Sequence, residues 1–351
     1  MTGRVLLLSP SHGLGGGIER YLETVESALA VSDAEYCRLD LNGSGARAQA
    51  RLLAQARAVL RADPVPTRLI VGHRTLLPLA ALLAREATAD GMSALCYGSD
   101  IWGPRWRPRR ALECRLMRRA GVRVVAISNF GAGALMRDTL VTLLPPALPG
   151  EWFDTLVAAA TSARRSASGP GIRLATAFRL PQWRTKGLPQ LVAAVTALGR
   201  PDVRLTVCGS GEPPDDLLLL VRQHPWCVLR PGLSDGDLAR ELAAADLFVL
   251  ATQTRSGRGS VGEGFGLVLL EAQIAGTPVV GPAYGGSHEA YVEGVTGVSP
   301  LDESAQALTG ILEELLKDPA RLAWMGQCAA QWARQAFTPE RYARLVAQRL
   351  L

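Results

Sequence analysis

No run of eighteen apolar residues occurs anywhere in the 351-residue chain, so no segment is built to cross a bilayer as a single helix. Met1 to Pro10 carries one arginine and a short apolar run that passes into a glycine loop. That is the pattern of a first strand rather than of a secretory leader. The six cysteines, Cys37, Cys96, Cys114, Cys208, Cys227 and Cys328, show no C-x-x-C pair and no cysteine–histidine ligand spacing. This argues against a zinc module or a disulfide framework, and for reduced structural thiols in a cytoplasmic protein. No Asp-x-Asp pair or other ligand cluster is read as a metal site, so the expected chemistry needs neither metal nor cofactor.

What is present is material for two globular cores. The chain is 48% hydrophobic and 20% charged, and its length is natural for two domains. The formal net charge of +6 matters because the arginines cluster. Trp102 precedes Arg105-Trp106-Arg107-Pro108-Arg109-Arg110, which leads into Arg115, Arg118 and Arg119, with Glu113 the only acid among them. A solvated helix face, a nucleic-acid contact and an anionic membrane surface all fit such a run. The membrane reading makes Arg105, Trp106, Arg107, Arg109 and Arg110 candidate membrane contacts, and nucleic acid is set aside as a partner.

The chain reads as alternating strands and helices. Val5 to Leu8 is a buried strand, followed by a loop ending in Gly15-Gly16-Gly17 and a helix from Ile18. Strand, glycine loop and helix form a phosphate-binding unit. Leu69 to Val71 is a strand that ends at Gly72-His73, and Leu95 to Tyr97 is another, running on to Asp100. Carboxyl ends of parallel strands are where ligands collect, so His73, Tyr97 and Asp100 are acceptor-side candidates. Residues 158–171, rich in Ala, Ser, Gly and Arg, read as a linker between a domain 1–157 and a domain 172–337, with a terminal helix at 338–351. The second domain opens on a strand carrying Arg179, then a loop with Lys186-Gly187 before a helix. Two cations beside a helix start suit a diphosphate.

The chain is organised around Gly262-Glu263-Gly264-Phe265-Gly266-Leu267-Val268-Leu269-Leu270-Glu271. This reads as a glycine-rich loop and a helix whose first turn is Gly264 to Leu267, with Glu263 and Glu271 near one face. A helix start offers unpaired N–H groups and partial positive charge to an anion.

This stretch resembles the E-x₇-E signature of the retaining family-4 glycosyltransferases. The resemblance implies a GT-B fold, in which two Rossmann-like, doubly wound parallel-sheet domains face each other across a cleft and a C-terminal helix crosses back to the first domain. It further implies transfer of a sugar from a UDP- or GDP-sugar to a saccharide, lipid-linked or natural-product acceptor, at a site that includes the inner face of the membrane where the acceptor is lipid-linked. Under it, Glu263 binds the donor sugar, and the N–H groups of Phe265, Gly266 and Leu267 meet sugar and phosphate oxygens. Glu271 grips the ribose, while Arg179 and Lys186 neutralise the departing diphosphate. Gly16 and Gly17 match the family's Gly-Gly loop. Gly209, in Val207-Cys208-Gly209-Ser210-Gly211, matches its glycine turn, and Gly232 and Leu233 match the loop at the base. The chain departs from the family where Tyr97 stands in place of a common histidine. A non-catalytic nucleotide-sugar binder and a GT-B sugar-nucleotide epimerase are the alternatives.

Overall fold

The computed structural model describes residues 3–351 except 12–16, 33, 87–88, 99–107, 138, 167–170 and 256–261. Gly16, Asp100, Arg105, Trp106 and Arg107 therefore lie outside the described residues. The chain divides into two compact units, the first ending at Pro149 and taking back Pro339–Leu351, the second starting at Gly150.

The first unit holds a six-stranded sheet of β1 (Arg4–Ser9), β2 (Tyr36–Asp40), β3 (Thr67–Val71), β4 (Ala89–Cys96), β5 (Val122–Ala126) and β6 (Val141–Leu143). Their order is β2-β1-β3-β4-β5-β6, and every pairing is parallel. Leu6, Leu7 and Leu8 are all fully buried, as expected of a parallel strand covered on both faces. The helices are α1 (Gly17–Val31), α2 (Gly45–Ala62), α3 (Leu77–Leu83), α4 (Pro108–Met117) and α5 (Asn129–Leu135).

The second unit holds β7 (Ile172–Ala177), β8 (Val203–Gly209), β9 (Cys227–Pro231), β10 (Leu247–Val249), β11 (Val279–Val280) and β12 (Gly297–Val298). They are ordered β12-β11-β10-β7-β8-β9, again with parallel pairings throughout. Its helices are α6 (Gly150–Ser166), α7 (Leu188–Leu198), α8 (Asp215–Arg222), α9 (Asp235–Ala244), α10 (Leu267–Ile274), α11 (Ala305–Leu316) and α12 (Pro319–Ala336). Counted from β7 outward, this is the Rossmann order, with the direction of winding reversing between β7 and β10. In the first sheet the reversal lies between β1 and β3. A crevice opens at the carboxyl ends of the strands at each such point, so the topology itself marks where a ligand can sit.

The last helix, α13 (Pro339–Arg349), belongs to the first unit and packs on α1. It is tied at both ends of its contact. Arg349 donates from Nη1 to the Leu143 carbonyl at 2.6 Å, and Arg123 donates to the Arg349 carbonyl at 2.6 Å. Tyr342 is buried with its ring edge-on to Tyr21, centroids 6.4 Å apart.

Two expectations change here. The segment expected to be a linker is helical up to Ser166. Trp152, Leu156, Ala159 and Ala160 form a buried stripe that packs α6 against α9 and α10. Its small and polar residues lie on the remaining turns, and they masked the helical spacing of the buried ones. The second unit therefore begins at Gly150 rather than after residue 171. The apolar run from Leu76 to Ala87 reads as one helix in sequence, but the helix spans Leu77–Leu83.

All six cysteines are free thiols. Burial pushes the Cys208 thiol up to about 12 and the Cys227 thiol up to about 11, so both are held neutral at ordinary pH.

Candidate active site

The second unit brings its candidate residues to the crevice between β7 and β10. β7 ends at Ala177, and Arg179 follows two residues later as the cap of a single 3₁₀ turn, Leu180–Gln182. The loop then doubles back to the exit of β10. The Gln253 N–H donates to the Thr185 carbonyl at 2.9 Å. Gly187 makes this approach possible. Its φ is +74°, and a Cβ there would lie 1.8 Å from the Ala251 carbonyl oxygen, so no other residue fits without moving backbone. The result sets Lys186 against the end of β10.

Lys186 Nζ donates to Glu263 Oε2 at 2.8 Å. The same carboxylate oxygen accepts from Thr252 Oγ1 at 2.9 Å. Both charged side chains are mostly shielded, with 23% of Lys186 and 13% of Glu263 exposed, so water screens their attraction less than it would at the surface. An ammonium has three donors, and one of them is spent on Glu263. The backbone of Glu263 is held as well. Its carbonyl accepts from the Gly286 N–H at 2.9 Å, and a Cβ on Gly285 would meet that same oxygen at 2.6 Å.

The central stretch differs from its expected form. Gly266, with φ +80°, is the cap, and the helix starts at Leu267 rather than Gly264. The left-handed backbone that only glycine adopts cheaply keeps Gly266 out of the helix, which therefore starts about one turn later than expected. Glu263 is a loop residue, as expected, and with the helix starting at Leu267 it shares no helical face with Glu271. Glu271 sits in the second turn of α10, 5% exposed, and its Oε1 accepts from Trp152 Nε1 at 3.1 Å. Phe265 turns its ring into the core against Phe337, centroids 6.3 Å apart. Gly209 and Gly232 are brought together across β8 and β9, the Gly232 N–H donating to the Gly209 carbonyl at 2.9 Å. Leu233, half-buried, precedes the Ser234 cap of α9.

One Asp-x-Asp spacing is present after all, at Asp235 and Asp237. It is the first turn of α9. Ser234 Oγ caps the Asp237 N–H and donates to its carboxylate, and Arg240 pairs with the same group. These partners hold the Asp237 carboxyl below its ordinary range, the Ser234 hydrogen bond foremost. Among the described residues no group of three metal-ligating side chains occurs.

In the first unit, Gly17 is the exposed first residue of α1. His73 follows β3 and Tyr97 follows β4. The two rings stack with centroids 6.3 Å apart and planes inclined by 18°. His73 Nδ1 lies 2.8 Å from Thr75 Oγ1 and 3.4 Å from the Thr75 N. Tyr97 packs edge-on to Tyr21, centroids 5.4 Å apart. Burial raises the Tyr21 and Tyr342 phenols above their ordinary range, so both stay protonated.

Among the described arginines of the cluster, Arg110 is buried, while Arg109, Arg115, Arg118 and Arg119 are exposed. Among the described residues, the fully buried Glu113 pairs with Arg74, with Arg109 at 3.3 Å and with Arg110 at 3.7 Å. Arg110 is 7% exposed and cannot be a membrane contact. A buried carboxylate demands partners, and the single acid among the arginines recruits those at i−3 and i−4 along α4. Arg109 also donates to the Thr75 carbonyl at 3.3 Å but keeps 60% of its side chain exposed. Arg110→Ala should lower stability by about 2–3 kcal/mol without altering partition onto anionic vesicles. Thermal melts and vesicle sedimentation check this, and unchanged melting with lost sedimentation would restore the membrane role. No described helix is long and apolar enough to cross a membrane.

Sequence reasoning missed Thr252 and Trp152. Thr252 stands in no motif and is marked only by its place just beyond β10. Trp152 lies over a hundred positions from its partner and carries no spacing signal.

The two sheets, their reversal points and the glycine-rich start of α10 define a nucleotide-binding α/β protein of the GT-B class. The family model described as glycosyl transferases group 1 matches residues 179–332. A GDP-mannose-dependent alpha-(1-6)-phosphatidylinositol monomannoside mannosyltransferase of Mycolicibacterium smegmatis is 31% identical over 272 residues, covering 73% of this chain and 69% of that protein. The chain belongs to the group 1 glycosyl transferases. It is also similar to a GDP-mannose-dependent monoacylated alpha-(1-6)-phosphatidylinositol monomannoside mannosyltransferase of Corynebacterium glutamicum. That match is 38% identical over 154 residues, 42% of this chain and only 39% of the relative's length. Among solved structures, sucrose-phosphate synthase from Thermosynechococcus elongatus shares the fold with a TM-score of 0.81 at 18% identity, covering 99% of this chain and 98% of that one.

Proposed function

We propose that this protein is a retaining glycosyltransferase that takes a hexose from a GDP- or UDP-sugar and moves it to a saccharide, lipid-linked or natural-product acceptor. The observation that carries the reading is the Lys186–Glu263–Thr252 cluster at the reversal point of the second sheet. Arg179, Lys186 and the N–H groups at the start of α10 would neutralise the departing nucleoside diphosphate. Preorganised donors aimed at developing charge are the largest usual source of such catalysis. Glu263, held in one orientation by Lys186 and Thr252, would take hydroxyls of the donor sugar, and Glu271 those of the ribose. Gly209, Gly232 and Leu233 would border the nucleotide, and Gly17 would belong to the phosphate-facing loop of the first unit. His73 and Tyr97 are the described acceptor-side candidates. A front-face route, in which a phosphate oxygen helps take the acceptor proton, needs no protein nucleophile, and Tyr97 is compatible with it.

We propose that turnover needs no metal and no cofactor, with Arg179 and Lys186 set beside the diphosphate. Relatives whose names carry GDP-mannose and phosphatidylinositol mannoside make GDP-mannose the first donor to try and a lipid-linked acceptor the first class. Such an acceptor would place the protein at the cytoplasmic face of a membrane, with Arg109 as its described contact.

The test is a thermal-shift screen of GDP, UDP, ADP and dTDP with their sugar conjugates, followed by turnover with and without EDTA. A ligand bound only by the folded state at 100 times its Kd adds about 2.7 kcal/mol of stability. The expected result is a shift with GDP or UDP and acceptor-dependent release of nucleotide that EDTA leaves unchanged. Donor conversion without any acceptor would point to an epimerase, and no shift at all would remove the donor-site assignment.

A further inference from the structure

We infer that Trp152 is a positioning residue for nucleotide recognition, acting through Glu271. The inference rests on the reading of Glu271 as the ribose-binding carboxylate. Trp152 is the third residue of α6, and α6 packs on α10, which carries Glu271. Both residues are 5% exposed, and the indole Nε1 donates to Glu271 Oε1 at 3.1 Å.

Each partner answers a need of the other. A buried indole seeks an acceptor for its single N–H. A buried carboxylate is costly unless hydrogen-bonded. Structure alone does not require the pair, because two apolar residues of similar volume would fill the helix–helix contact at no loss. What an indole donor adds is direction. A glutamate has three rotatable bonds, and each fixed partner lowers the cost of ordering it when a nucleotide binds. The indole is rigid and embedded in the helix contact. It holds one carboxylate oxygen and so restricts the orientation in which the carboxylate can meet a hydroxyl. Supporting a recognition group with a second, packed residue is the general means of keeping such a site within productive geometry.

The test separates this role from general packing by reading hydroxyl discrimination rather than activity. GDP and UDP are titrated calorimetrically beside their 2′-deoxy and 3′-deoxy forms, using the full chain. In the wild type, the nucleotide that binds should lose about tenfold in affinity when the hydroxyl taken by Glu271 is removed. Glu271→Ala should erase that preference. Trp152→Phe should narrow it about fivefold while leaving the affinity for the deoxy form unchanged, and the double variant should match Glu271→Ala. Full preference in Trp152→Phe, with the preference lost in Glu271→Ala, overturns the positioning role and leaves the ribose reading intact. Full preference in Glu271→Ala, or no binding of either nucleotide, overturns the ribose reading and this inference with it. If Trp152→Phe does not fold, Glu271→Gln is read by nitrogen-15 NMR. Neutralising the acceptor should move one indole N–H signal, and the bound nucleotide should move the same one. No indole signal moving in Glu271→Gln overturns the inference.

Discussion

Lys186→Ala should leave a folded protein whose turnover at saturating donor falls by about 10²- to 10³-fold, the usual cost of losing one preorganised charge contact. One role of this side chain is observed and a second is proposed. One donor of the ammonium fixes Glu263 at 2.8 Å, and the remaining two are available to the diphosphate. A double-variant comparison separates the roles. If Lys186 serves only to hold Glu263, adding Glu263→Gln to Lys186→Ala should cost nothing more. If it also meets the diphosphate, the two losses should partly add. Lys186→Arg should not restore the rate, because a planar fork does not occupy the place of a compact ammonium. Steady-state kinetics with saturating donor, beside a thermal melt of each variant, is the measurement. Full turnover in Lys186→Ala would falsify the site assignment.

Gly187→Ala should be the most damaging single methyl in the second unit. The added Cβ would fall 1.8 Å from the Ala251 carbonyl oxygen and 2.5 Å from its carbon, at a backbone φ of +74°. Neither neighbour is a flexible side chain, so the loop or the β10 exit must move. We expect a loss of about 4 kcal/mol, which for a domain of this size lowers Tm by about 8–16 °C. Nucleotide binding should fall with it, because Lys186 is the preceding residue and α7 begins at the following one. Differential scanning calorimetry with and without GDP and UDP reads both effects. A melt within about 2 °C of the wild type would show that the loop relaxes freely.

The parts of the site legible in the sequence were those that repeat a local device. Glu263, Gly264, Gly266 and Leu267 stand at a glycine-rich strand-to-helix junction, and Arg179, Lys186 and Gly187 stand at another. Each junction carries its glycines immediately before a helix start, so local pattern reported it. Trp152 and Thr252 were not legible, because their partners lie 119 and 11 positions away and neither pairing follows a helix or strand period. The burial of Arg110 was not legible for a related reason. A run of one charge reads as a surface, yet one acid within it, Glu113, was enough to draw Arg110 and Arg74 inward. Burial of a carboxylate is a property of the packed unit and leaves no mark in local spacing.

The sequence by itself determined the class of the protein. Alternating buried strands and helices set two parallel α/β halves, and the glycines and acids of the central stretch matched a family, because both are written in short-range pattern. Only the tertiary structure decided the strand orders, and with them the two points where winding reverses. It also decided where α6 begins the second unit, and which carboxylates are held by Lys186, Thr252 and Trp152. Those outcomes depend on contacts between residues far apart in the chain, whose energies come from burial and close packing rather than from the propensity of any segment.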